Sequence, residues 1–167
     1  RIGNPTITDL EKTVAELENG FGGIATSSGM GAVTTVYLAF LSAGSHIVSH
    51  DAIYGPARGV METYLSKFGI EYSYIDASDI NNVIKAIRPN TKMIYVETPA
   101  NPTMDIIDIK AVADLAHSKG IPLIVDNTFC SPYLQKPIDL GVFVCIKNNK
   151  LDISIFFVDA CFKYFKP

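Results

Sequence analysis

The chain has 167 residues, 48% hydrophobic and 19% charged, the make-up of a chain with an apolar core to bury. A formal charge of −3 with no basic run argues against a nucleic-acid surface. No apolar stretch reaches the ~18 residues of a membrane span, and no signal peptide is legible from Arg1 onward, so a cytoplasmic protein is expected. Cys130, Cys145 and Cys161 form no CxxC, and His46, His50 and His117 do not sit near them in sequence. Reduced thiols and no metal site are the expectation.

"PTITDLEKTVAELENG" sets Leu10, Val14, Ala15 and Leu17 in a helical pattern stopped by Gly20. "GGIATSSGMGAVTTVYLAFLSAG" predicts a short strand, a Ser-Ser-Gly turn and an apolar helix to Gly44. "HIVSH" is a strand, "GPARGVMETYLSKFG" a helix ended by Gly69, and "IEYSYID" an alternating strand. "ASDINNVIKAIRPN" is a helix started by Ser78 or Asp79 and halted by Pro89. A buried strand, "TKMIYVET", precedes the turn-rich "PANPTMD". "IIDIKAVADLAHSKG" then predicts a helix with Leu115 and Ala116 inward, and "IPLIVDNT" the next strand. Strands alternating with helices mean βαβ units, hence an α/β/α three-layer sandwich around a mostly parallel sheet. After "PIDLG" the text changes to an apolar, lysine-rich tail over residues 142–167, in which one or two strands are expected.

In such sheets ligands gather beyond the carboxyl ends of the strands. The turn "SSGMG" opens a helix there, and Gly29 lets a ligand approach backbone N–H groups, although small residues also serve ordinary turns. Neither the GxGxxG nor the GxxxxGK[ST] fingerprint is present, which disfavours dinucleotides and ATP. Tyr54 follows another strand; it suits stacking on a flat ligand, or a partly buried loop. Asn101 stands between Pro99 and Pro102, which stiffen its loop for hydrogen bonding or for a plain turn.

Asp126 ends the greasy run "LIVD", where a lone carboxylate is costly to desolvate without a cation. Either it caps the following turn or a ligand brings the positive charge. An anion cradle, a ring, an amide and an acid together suit pyridoxal phosphate, whose protonated ring nitrogen Asp126 would hold.

The stretches "RIGNPT", "ATSSGMGA", "IYG", "ETPANPT" and "VDNTFCSPYLQKPIDLG" resemble the Cys/Met-metabolism pyridoxal-phosphate enzymes. These are the group of cystathionine γ-synthase, cystathionine lyases and methionine γ-lyase. The likeness runs from Arg1 to about Gly141. It implies a partial large domain of fold-type I over residues 1–141, with 142–167 a divergent tail and the small C-terminal domain absent.

It further implies Gly29 and Met30 as phosphate donors, Tyr54 as a stacking ring that helps move protons, and Asn101 near the cofactor's phenolic oxygen. Asp126 matches the acid on the pyridine nitrogen, with Thr128 beside it. Arg1 matches an arginine reaching a neighbouring subunit's phosphate, which implies a homo-oligomer, a dimer of dimers. The implied activity is a carbon–sulfur lyase acting on methionine, cystathionine or a related amino acid.

The family's Ser-x-Thr-Lys-Tyr element, carrying the Schiff-base lysine, has no counterpart after Gly141. Lys150 lacks the flanking hydroxyls and tyrosine, and only Lys163-Tyr164 in "CFKYF" preserves a trace of it. The alternative expectation is therefore a catalytically dead fragment, with Lys163 a displaced equivalent or a coincidence.

Overall fold

The computed structural model of the chain describes residues 3–148 and 154–158. Helix α1 (Pro5–Leu17) starts where the Asn4 side chain accepts the Thr6 amide at 2.9 Å, with Pro5 at the first helical position, where an N–H would have no partner anyway. Strand β1 (Gly22–Thr26) runs into helix α2 (Gly29–Phe40), which Ser28 Oγ caps by accepting the Gly31 amide at 3.0 Å. A Cβ at Gly31 would stand 3.3 Å from that oxygen, so glycine lets the cap close. Helix α2 ends at Phe40 rather than Gly44, because Leu41 turns extended and buries its side chain in the core.

Strand β2 (His46–His50) is buried throughout. Helix α3 (Gly55–Thr63) stops before Gly69; a separate 3-10 turn over Leu65–Phe68 follows. That tighter turn brings Leu65 into the core, and Gly69 closes it at φ 73°, a conformation open to glycine. Strand β3 (Glu71–Ile75) leads to helix α4 (Ile80–Ala86), which Asp79, not Ser78, caps at the Asn81 amide. Strand β4 (Thr91–Glu97) and helix α5 (Ile109–Lys119) follow, the latter capped by Asp108. Strands β5 (Leu123–Asp126), β6 (Val144–Asn148) and β7 (Ser154–Val158) complete the described chain.

The sheet runs β1–β7–β6–β5–β4–β2–β3. Strands β3, β2, β4, β5 and β6 are mutually parallel, while β7 pairs antiparallel with both β6 and β1. Alternation divides the core. Met93, Tyr95, Ile124, Val144 and Ile146 face α2 and α3, whereas Ile94, Val96, Leu123 and Val125 face the α4–α5 side. Two covered faces make the three-layer sandwich.

The stretch after Gly141 continues this sheet, since Val144 and Ile146 join one face and Cys145 packs on the other with Ala15 of α1. Among the described residues no helix is long and apolar enough to cross a membrane. The strand order reverses between β2 and β4, so the loops beyond their carboxyl ends diverge and leave a crevice.

Candidate functional site

The crevice is a cavity of about 180 Å³, and Gly29, Tyr54, Asn101, Asp126 and Thr128 all line it. Four separate connections deliver them: those after β1, β2, β4 and β5. Val33, Phe129 and Ile146 supply apolar wall, and Glu97 adds a second acid. Met30 does not line the cavity; its side chain packs against the core cluster, which leaves its backbone as the group it could present. The first amides of α2, at Gly29 and Met30, have no carbonyl within the helix to bond, so they and the helix dipole favour an anion.

Asp126 is 6% exposed. Its Oδ1 accepts the Thr128 hydroxyl at 2.5 Å and the Thr128 amide at 3.2 Å, and its Oδ2 accepts the Tyr95 hydroxyl at 3.2 Å. Burial pushes its pKa up, while these neutral donors pull it down. No cation touches it among the described residues. The ammonium whose charge bears on it, Lys147, is held 2.9 Å from Glu18 Oε1 and donates to the Cys130 carbonyl.

Asn127 points elsewhere and staples the following loop. Its Oδ1 accepts Gln135 Nε2 at 2.9 Å, and its amide donates to the Gln135 carbonyl. The segment Asp126-Asn127-Thr128 thus aims one acid into the cavity and fixes the loop that returns to it.

Tyr54 is 51% exposed at the mouth, a ring open to a flat partner. Asn101 is exposed, and its backbone amide, like that of Tyr54, donates to Glu97. Behind Asp126, Tyr95 meets Tyr37 of α2 edge to face, with ring centroids 5.3 Å apart, so the acid rests on a fixed aromatic wall. Arg1, Lys150, Lys163 and Tyr164 lie outside the described residues.

Two groups of the site escaped sequence reasoning. Glu97 ends the greasy run "MIYVE" just as Asp126 ends "LIVD", and the same rule about acids at the tips of buried strands would have found it. Tyr95 carried no such mark, since an aromatic inside a strand is ordinary core.

An α/β sandwich with its polar groups gathered in a crevice beyond the carboxyl ends of a mostly parallel sheet is the layout of a small-molecule-binding domain. Residues 1–149 match the family model of the Cys/Met metabolism PLP-dependent enzymes, and the chain belongs to that family. It is 48% identical over 148 residues to cystathionine beta-lyase MetC of Bacillus subtilis (strain 168), covering 89% of this chain and 38% of that protein. It is 45% identical over 149 residues to L-methionine gamma-lyase of Fusobacterium nucleatum subsp. nucleatum, again covering 89% of this chain and 38% of the relative. The solved structure of cystathionine gamma-lyase from Lactobacillus plantarum complexed with L-serine superposes at a TM-score of 0.91 and 38% identity, over 95% of this chain and 43% of that one. The chain therefore spans about two fifths of the length of the relatives it matches.

The cavity suits the family's cofactor on chemical grounds. Among the described residues only neutral donors touch the buried Asp126 carboxylate, which suits a protonated pyridine nitrogen, and the start of α2 favours an anion.

Proposed function

We propose that this chain binds pyridoxal 5′-phosphate as part of an enzyme that cleaves carbon–sulfur bonds in methionine, cystathionine or a related amino acid. The amides of Gly29 and Met30 would hold the phosphate, Tyr54 would stack on the ring, Asp126 would take the ring nitrogen and Asn101 would hydrogen-bond near the phenolic oxygen. The observation that carries this is Asp126: a carboxylate 6% exposed, facing the cavity and touching no cation among the described residues. When bound, the cofactor supplies an electron-accepting ring for charge that develops at a substrate's α-carbon.

The chain's own groups do the rest. Thr128 and Tyr95 hold the Asp126 carboxylate in one orientation, so its charge stays fixed on one point of the cavity. Asp126 keeps a proton on the ring nitrogen. The Tyr54 phenol, exposed at the mouth, moves protons between substrate and solvent. Val33, Phe129 and Ile146 keep water from the inner wall.

A second reading has its own support: among the described residues no lysine lines the cavity. The chain then binds the cofactor without covalent attachment and turns over little or nothing. Assembly with further copies, with Arg1 reaching a neighbour's phosphate, and a cytoplasmic setting belong to the same proposal. Free thiols at Cys130 and Cys145 fit a reducing compartment.

Equilibrium dialysis against pyridoxal 5′-phosphate tests the cofactor site. Asp126→Ala should weaken binding roughly a hundredfold, the size of effect expected when a buried charge loses its partner. Equal affinity in the two proteins would refute the site. Formation of 2-oxo acid from L-methionine or cystathionine separates the lyase from the binder.

A further inference from the structure

We propose that Glu97 is a positioning residue: its buried carboxylate ties the loop after β2 to the loop after β4, and so sets where the Tyr54 ring and the Asn101 amide stand over the cavity. The assignment rests on that cavity being the pyridoxal 5′-phosphate site. Glu97 is the Cα partner of Asp126 in the β4–β5 ladder, so two acids end adjacent parallel strands. Their environments differ. Asp126 accepts side-chain hydroxyls and one amide of its own turn, whereas the two oxygens of Glu97 face backbone amides of two loops, its own and the one after β2. Oε2 accepts the Tyr54 amide at 2.6 Å, and Oε1 the Asn101 amide at 3.4 Å.

The short contact is a charge-assisted bond at the residue that begins α3, where Tyr54 has no side-chain cap of its own. The prolines at 99 and 102 have no N–H, and the Ala100 amide donates to the Asp105 carbonyl. Of the stretch from Pro99 to Pro102, only Asn101 therefore has an amide free to reach Glu97. One carboxylate holds both loops, and each loop carries a group that faces the cofactor.

Glu97 is 3% exposed. The titratable groups around it are Asp126 from β5, Tyr95 from its own strand, Tyr37 from α2 and Tyr54 above; no described cation pairs with it. Burial, then the charge of Asp126, push its pKa up to about 7, against the pull of the two amides. The clamp is full when the carboxylate is ionised and loosens when one oxygen takes a proton.

Amide spectra of the ¹⁵N-labelled, cofactor-free chain from about pH 5.5 to 8.5 read this directly. The Tyr54 and Asn101 amide protons should shift together with a midpoint near 7, and Glu97→Gln should flatten both curves. By dialysis at about pH 8, Glu97→Gln should bind pyridoxal 5′-phosphate about tenfold more weakly than wild type. A merely structural role would move stability but give no shared titration. Independent midpoints, flat wild-type curves, or unchanged affinity in Glu97→Gln would each overturn the proposal. The wild-type titration needs no variant, so it decides even if Glu97→Gln does not fold. Asp126→Ala tests the cofactor site: if it binds as wild type does, that site falls, while the paired amide titration, read in the wild-type chain, still reports on Glu97.

Discussion

Asp126 and Glu97 occupy matching places on neighbouring strands, and their partners give them different work. Asp126 accepts two hydroxyls and one amide and touches no cation among the described residues; Glu97 uses both oxygens on the backbone. Glu97 also makes stability depend on pH. Its folded pKa, about 7, lies above the unfolded value of 4.5, so its contribution is full below 4.5 and fades as pH climbs through 7. The window is therefore pH 4.5 to 7, and the loss totals about 3 kcal/mol. Glu97→Gln, which cannot ionise, should escape that loss. Between pH 5 and 8 its stability in urea should gain about 2 kcal/mol on the wild type, both measured without cofactor. Parallel pH curves for the two proteins would contradict a raised Glu97 pKa.

Strands and helices were legible where the local pattern is what decides them. The runs "HIVSH", "TKMIYVET" and "IPLIVDNT" hold the expected strands, at His46–His50, Thr91–Glu97 and Leu123–Asp126, and glycines 69 and 120 end elements in left-handed conformations. Legibility stopped where tertiary burial decided instead. Leu41 ends α2 early to reach the core, and Leu65 draws the chain into a 3-10 turn.

The predicted cavity-lining residues were legible for the same reason as the strands, since each stands at or beyond the carboxyl end of one. What joins them was not. Strand β6 depends on a buried ion pair between residues far apart in sequence: Lys147, at 5% exposure, meets Glu18, at the end of α1 and fully buried, at 2.9 Å. Lys147 also donates to the Cys130 carbonyl, so one ammonium fastens β6 to α1 and to the loop after β5. Burial raises the Glu18 pKa against the pull of Lys147, which marks desolvation as the larger cost of this pair. Lys147→Met alone should destabilise the chain by about 3 to 5 kcal/mol, because it strands Glu18. Adding Glu18→Leu should recover most of that in urea unfolding; a double variant as weak as the single would show that the pair stabilises by more than its mutual neutralisation.

Across the sheet, the two faces receive different tasks, and this bears on whether the chain can hold its cofactor covalently. Ile146 points from β6 into the cavity, so the pleat sends Lys147 to the opposite face, where Glu18 retains its ammonium. The neighbouring lysine in the sheet is thus unable to serve as an attachment point without breaking the buried pair. Of the lysines in the described chain, none lines the cavity. Borohydride treatment of the protein loaded with pyridoxal 5′-phosphate should therefore leave no label on any lysine of the described residues in peptide mapping. Formation of 2-oxo acid from L-methionine should then stay at the level of free cofactor, if the described residues, none of which brings an ammonium to the cavity, are all that act there. Label retained on Lys163 or Lys150 would reverse that outcome and assign the attachment to residues outside the described ones. Label on Lys147 would mean that the Glu18 pair opens when cofactor arrives, and Glu18→Gln should then increase the labelled fraction.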